Sequence, residues 1–400
     1  MIHREHYISK IRPFFDSDLI KIITGIRRCG KSVIKDQIEN EIKASGKPTI
    51  SLDFERHSVS SVIYDADTLI EYIEEHRSHD PEEKTYIFLD EIQNVEDWNI
   101  ACRSLRLDNL SIFITGSNSK LLAKEFTKEL SGRYVSFCIK PFVYKEICMY
   151  ADMLGKKKSI TDYLIYGGFP KTLEFDDNDS VIQYLNDLDQ QIVMNDIMLR
   201  YKVKKQELFR RLVNYVLISN SRIFSANSIL KYLRGQGLDC SINTIMKYIG
   251  YLEEAFVIRS VPQYSAKAKR ELSFFKKLYD EDVAFNTIRQ PHGKYDLTHN
   301  LENIIYNELI YMGYDLSVYK TDKGEIDFLA EKKGKEYLIQ VAYSIVDDSI
   351  YEREFRSFNE LDMSRKKMII TNDDVDFSSS TVSHIRLKDF LMMKDLEDII

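Results

Sequence analysis

Cysteine is scarce: five residues in a chain of 400, and Cys29, Cys102, Cys138, Cys148 and Cys240 stand apart without a C-x-x-C pair. That scatter argues against a zinc ribbon and against a disulfide framework. No apolar run approaches the roughly 18 residues that a membrane helix requires. Met1 to Phe15 mixes His3, Arg4, Glu5, His6 and Lys10 with isolated apolar positions, so the continuous hydrophobic core of a signal peptide is missing. A cytoplasmic location without a membrane span is expected. A basic excess is missing too. The net charge is −7, so any nucleic-acid contact must use a local patch. Internal repeats and low-complexity segments are not evident either.

What is present is an ordinary globular balance, 44% hydrophobic and 30% charged, in a chain too long for one core. Leu19 to Thr24 is an apolar, β-branched run that stops at Gly25. Helical spacing of Val33, Ile34, Ile38 and Ile42 follows Ser32. Further strands are expected at Thr49 to Phe54, Tyr86 to Leu89 and Ser111 to Thr115, separated by helix-compatible sequence, which predicts an α/β fold with a parallel sheet. From Pro141 to about Arg211 the pattern is mainly helical, broken by the turn of Tyr166-Gly167-Gly168-Phe169-Pro170. Three amphipathic helical segments between Leu212 and Ile258, a strand-like Phe256 to Val261 and a basic segment then read as a winged helix. The last hundred residues return to mixed α/β, with a helix at Asn300 to Met312 and strands near Leu316 to Tyr319, Ile326 to Ala330, Tyr337 to Tyr343 and Lys367 to Thr371. The expected domains are 1–140, 141–211, 212–290 and 291–400.

Gly25-Ile-Arg-Arg-Cys-Gly30-Lys31-Ser32 satisfies G-x-x-x-x-G-K-[ST] in full, between a strand and a helix. Glycines let the backbone curl so that its N–H groups face phosphate, and the helix N-terminus adds its positive end. Gly25, Arg27, Arg28, Cys29, Gly30, Lys31, Ser32 and Val33 are the expected nucleotide contacts. Lys31 neutralises the β- and γ-phosphates and the Ser32 hydroxyl ligates magnesium. Thr85 to Leu89 is an apolar strand ending in Asp90 and Glu91, the form of a Walker B strand. Asp90 is expected to hold magnesium through water and Glu91 to polarise the attacking water. The strand that begins at Ser111 ends in small polar residues, so Ser117 or Asn118 is the candidate sensor of the γ-phosphate. Arg133, in Ser131-Gly132-Arg133, is the candidate arginine finger, acting on the transferred phosphoryl group or in trans within a homo-oligomer.

GIRRCGKS, IFLDEI, IFITGSNSKLL, LSGRYVSFCIKPFVYKEI, YGGFP and YLEEAFVIRSVPQYS, taken in order, resemble the prokaryotic AAA-type ATPases whose C-terminal half is a domain of unknown function (DUF4143-like). The resemblance covers nearly the whole chain. It implies an ATPase core, a helical lid at 141–211, a winged helix at 212–290, and at 291–400 an α/β domain similar to restriction endonucleases.

On the winged helix, Ser225 to Leu233 and Ser241 to Leu252 form the expected helix-turn-helix, with Asn243, Thr244 and Lys247 on the helix offered to a major groove of double-stranded DNA. Lys267, Lys269, Arg270, Lys276 and Lys277 are expected phosphate contacts from the wing. The nuclease resemblance points to Glu302 on a helix, Asp327 on a strand and Gln340 on the next strand. There the motif's glutamate is Gln340 and its lysine is Ala342. A neutral amide binds a hard cation more weakly than a carboxylate, and alanine positions no water, so nuclease activity is expected to be absent or impaired. The expected protein is an ATP- and magnesium-dependent ATPase acting as a conformational switch or motor. An ATP-dependent nuclease and a non-hydrolysing ATP-binding regulator are the alternatives.

Overall fold

The computed structural model describes residues 1–80, 82–117, 132–265, 270–291, 293–321, 324–358 and 365–398. Two compact units divide the chain: Met1–Pro141 with Glu254–Phe256, and Phe142–Glu253 with Val257–Ile400.

In the first unit, β1 (Ile20–Thr24), β2 (Thr49–Asp53), β3 (Thr85–Asp90), β4 (Leu110–Gly116) and β5 (Tyr134–Cys138) form one parallel sheet in the order β2-β3-β4-β1-β5. β1, β3 and β4 are buried along their whole length, as expected of parallel strands covered on both faces. The helices of this unit include α1 (Glu5–Ile11), α2 (Lys31–Ala44), α3 (Ala66–His76) and α4 (Trp98–Leu105). α3 starts where Asp65 accepts the Thr68 N–H at 3.0 Å and Thr68 Oγ1 accepts the Asp65 N–H at 3.2 Å, a reciprocal cap. Its Leu69 and Ile73 join Trp98 and Leu105 of α4 in one cluster with Ile22, Leu89 and Ile112 of the sheet. Each such side chain contributes about 1.5–3 kcal/mol on burial. All five strands run the same way, so the chain segments that leave β1, β3 and β4 emerge along one edge of the sheet.

In the second unit, helices α5 (Tyr144–Met153), α6 (Ile160–Tyr166) and α7 (Asn178–Asp189) precede α8 (Gln206–Ile218), α9 (Ala226–Gly235) and α10 (Ile242–Glu254). The turn after α6 needs its glycine. Gly167 has φ +69°, and a Cβ there would sit 1.6 Å from the Asp282 carboxylate, which accepts the Gly168 N–H at 2.8 Å. A mixed sheet follows, from β6 (Arg222–Ile223), β7 (Ile258–Ser265), β8 (Arg270–Asp280), β9 (Asp315–Lys320), β10 (Glu325–Lys332), β11 (Lys335–Ala342), β12 (Lys366–Thr371) and β13 (Val382–Arg386), in the order β13-β12-β11-β10-β9-β7-β8-β6. The helices α11 (Leu297–Met312), α12 (Asp348–Arg356) and α13 (Leu387–Met392) complete it. β7 pairs in parallel with β9, Gln263 opposite Val318, so strands from 212–290 and from 291–400 share a single sheet. Among the described residues no helix is long and apolar enough to cross a membrane.

Candidate nucleotide-binding site

The loop that follows β1 folds as its glycines require. Gly25 has φ +144°, and a Cβ on it would lie 2.1 Å from the Ile139 carbonyl oxygen, so the close approach of the residue after β5 to the loop excludes any side chain. Arg28 and Gly30 also adopt positive φ, at 69° and 99°, and Gly30 is the N-cap of α2. Lys31 is buried and its ammonium donates to the Ile26 carbonyl at 3.2 Å, curling back over its own loop. Ser32 is exposed on the first turn of α2, with Val33 half-buried beside it. Arg27 reaches Glu55 at 3.5 Å and Arg28 is exposed.

Arg4 braces the loop from α1's N-cap position. It is 2% exposed, and its guanidinium donates to the Cys29 carbonyl and to the Lys140 carbonyl, each at 3.0 Å. Nothing local in the sequence singles Arg4 out, because both carbonyls come from distant segments.

Asp90 ends β3, buried, and its Oδ1 accepts the Thr115 hydroxyl. The same Thr115 oxygen accepts the Glu91 N–H at 3.1 Å, so one side chain at the end of β4 fixes both acidic residues. Glu91 sits at φ 52°, and its carboxylate accepts from Gln93 and, at 3.4 Å, from Ser117. Lys35, one turn beyond Lys31 on the same face of α2, places its Nζ 3.6 Å from Asp90 Oδ2 and 3.1 Å from Asp36 Oδ1. Burial pulls the Lys35 pKa down, and Asp90 and Asp36 more than offset it, so the ammonium stays charged. Spacing of four from Lys31 was the signal that could have found Lys35. Thr115 lies two residues before the Ser117 that the strand pattern indicates.

The loop, the acid pair and the Thr115–Ser117 strand end thus meet on one edge, with β4 between the strand that carries the loop and the strand that carries the acids. An AAA domain is matched over residues 17–148, a domain of unknown function (DUF8612) over 157–287 and another (DUF4143) over 298–390. An uncharacterized protein of Haemophilus influenzae is 32% identical over 384 residues, 93% of each chain. The chain belongs to the family of AAA-domain ATPases with a C-terminal domain of unknown function. An uncharacterized protein of Methanocaldococcus jannaschii is 28% identical, over 89% of this chain and 82% of its own. Among solved structures, the Walker-type ATPase of Pyrococcus abyssi superposes with a TM-score of 0.52 at 14% identity, over 72% of this chain and 96% of that one, which shows a shared fold.

Other expected site residues of this AAA-domain protein fall elsewhere. Arg133 is exposed, and its carbonyl accepts the Ile20 N–H at 3.0 Å, which puts it where β1 and β5 begin. Five residues of strand, roughly 16 Å, separate that end from the loop, so the fold does not bring Arg133 to the phosphate site of its own chain. Asn118, Lys267 and Lys269 lie outside the described residues, as does the side chain of Arg270. On α10, Asn243 and Lys247 are exposed, while Thr244 is half-buried with its hydroxyl 3.0 Å from Ser241 Oγ. Lys277 is not a wing contact. It is 5% exposed, and its Nζ lies 2.9 Å from Glu302 Oε1, 3.0 Å from Asp327 Oδ1 and 3.2 Å from Glu325 Oε1. Gln340, on the neighbouring strand, accepts the Asp327 N–H at 3.3 Å and donates to Glu354 at 2.8 Å, so Glu302, Asp327 and Gln340 do gather.

Proposed function

We propose that this protein binds ATP at the loop of Gly25 to Val33 and hydrolyses it, using the free energy to drive a conformational switch or motor. The observation that supports this best is the convergence of Lys31, Asp90, Glu91 and Ser117 on one edge of a parallel sheet of the AAA type, with Thr115 holding the acid pair. The donors fit magnesium: Ser32 offers an exposed hydroxyl and Asp90 a carboxylate, the hard oxygen set that Mg2+ takes alongside phosphate oxygens. When bound, magnesium supplies charge neutralisation on the β- and γ-phosphates.

The chain's own residues account for the rest. Backbone N–H groups of the loop and of α2's first turn face the phosphates, and Lys31 exchanges the Ile26 carbonyl for them. Glu91, held by Ser117 and Gln93, orients a water and takes its proton. Arg4 keeps the loop in place by tying the Cys29 carbonyl within it to the Lys140 carbonyl beyond β5. Phosphate release from the purified chain tests the reading. Lys31→Ala should abolish nucleotide binding, and Glu91→Gln should leave binding intact while slowing release about a hundredfold or more. Absence of release by the native chain would remove hydrolysis and leave a nucleotide-binding regulator, whereas unchanged release in Glu91→Gln would remove Glu91 as the base.

Double-stranded DNA is the partner this reading favours, through Asn243 and Lys247 exposed on α10 ahead of the β7–β8 hairpin, the order of a winged helix. Stimulation of hydrolysis by DNA that fades as salt rises supports it, whereas salt-independent turnover counts against it.

A further inference from the structure

The resemblance to nucleases leads one to expect a divalent cation among Glu302, Asp327 and position 340. The residues present do not fit one. Lys277 projects from β8, and its ammonium stands among Glu302 of α11 and Glu325 and Asp327 of β10, at 2.9, 3.2 and 3.0 Å. The ammonium donates to Glu302 and Asp327, and Glu325 stands at ion-pair distance, so three carboxylates already surround one fixed cation. Those separations are hydrogen-bond lengths, longer than the about 2.0–2.6 Å at which Mg2+ or Ca2+ holds oxygen.

Other donors also enter the cluster. Asp327 Oδ2 takes the Val341 N–H at 3.0 Å, and Glu302 Oε1 takes the Tyr279 hydroxyl at 2.7 Å. Gln340 donates to Glu354, whose other oxygen takes the Arg353 guanidinium at 2.7 Å. Among the described residues no group of three or more His, Cys, Asp or Glu is arranged to hold a metal ion. Yet the residues line an open polar cleft of about 420 Å³, shared with Arg222, His299 and Ser221, so solvent ions can reach them.

We propose that Lys277 is a built-in cation that takes the metal's place in the C-terminal domain, making its carboxylate cluster independent of divalent ions and closed to metal-dependent phosphodiester cleavage. The charge state agrees. Burial pulls the Lys277 ammonium toward neutrality, but Asp327, Glu302 and Glu325 override it and raise its pKa well above normal. Burial and the nearby Asp327 push Glu302 up to about 8, although Lys277 opposes this.

Replacing Lys277 by a neutral side chain of similar length should therefore open a divalent-ion site that the native chain lacks. The full-length protein, without nucleotide and carrying Asp90→Asn so that the ATP site does not contribute, is titrated with Mn2+ by calorimetry and followed by thermal unfolding. With native Lys277, no Mn2+ uptake at millimolar ion is expected and the unfolding midpoint stays unmoved. Lys277→Met should take up one ion and gain at least several degrees with Mn2+, whether it is folded beforehand or refolds on adding the ion. Lys277→Arg, which keeps the charge, should behave as the native chain does. Uptake by the native chain that disappears in Asp327→Asn overturns the proposal, as does a Lys277→Met chain that gains neither ion nor stability.

Discussion

Two carboxylate clusters in this chain carry a nearby lysine, and the lysines do opposite things. At the proposed ATP site Lys35 stands 3.6 Å from Asp90, outside hydrogen-bond reach, while its shorter contact goes to Asp36. Asp90 keeps one neutral partner, the Thr115 hydroxyl. That arrangement steadies a carboxylate and leaves it able to take a cation from solution. In the C-terminal cluster Lys277 lies between three carboxylates at hydrogen-bond distance. The cation is covalently part of the chain, and a soluble one has to displace it. Acid content alone does not make a metal site. What decides is whether the protein has already spent a positive charge there.

The strongest way to break this comparison is to remove the matching aspartates. Asp90→Ala should lower ATP hydrolysis by about a hundredfold or more, because a metal-linked carboxylate stabilises charge that develops on the phosphates. Asp327→Ala should leave hydrolysis per folded molecule within about twofold. Steady-state phosphate release at saturating nucleotide measures both. A large loss in Asp327→Ala would mean that the C-terminal cluster takes part in turnover, and the contrast drawn above would fail.

The lysines themselves give the next largest effect. Lys277→Met leaves the closely spaced carboxylates of Glu302, Asp327 and Glu325 without their cation, and unpairing such a cluster costs about 3–5 kcal/mol. Lys35→Met removes a 3.1 Å contact to Asp36, which is mostly exposed, and should cost about 1 kcal/mol. Urea unfolding followed by circular dichroism separates the two. Equal losses would show that Lys35 neutralises Asp90 as fully as Lys277 neutralises its cluster.

The convergence of the loop and the acid pair was largely legible in the sequence and the lysine-filled cluster was not. Gly25 to Ser32 and Asp90–Glu91 are contiguous motifs at the ends of apolar runs, so strand polarity carries them to one edge wherever the strands pair. Expected strands at 19–24, 49–54, 86–89 and 111–115 appear as β1 to β4 within a residue or so. β5 was missed, because Tyr134 to Cys138 is short, interrupted by Ser136, and half-buried or exposed throughout instead of being a fully buried apolar run. With β5 unread, nothing told which end of a strand Arg133 would occupy. Lys276-Lys277 reads as a solvated basic pair by local composition. Its real environment comes from α11 and β10, some 25 and 50 residues on, and only tertiary pairing brings those together.

A third lysine sharpens the comparison. Lys21 on β1 is fully buried, and its ammonium has Ser111 Oγ at 2.8 Å, the Ser17 carbonyl at 3.3 Å and the Phe113 ring instead of a carboxylate cage. Burial, helped by the charge of Lys84, lowers its pKa from 10.5 to about 7. The unfolded chain therefore holds a proton between pH 7 and 10.5 that the folded chain has released. Stability from this group rises with pH across that window, at no more than about 1.4 kcal/mol per pH unit, and is lost as pH falls toward 7. Lys21→Met should remove that slope and raise stability at pH 7, since methionine needs no solvation there. Trp98, the chain's one tryptophan and buried in the same unit, makes the measurement local: its fluorescence in urea at pH 7, 8 and 9 reports this unit alone. Parallel pH dependence in Lys21→Met and the native chain would mean that Lys21 keeps its proton inside the fold. The cage around Lys277 would then be more than a buried lysine in this chain requires.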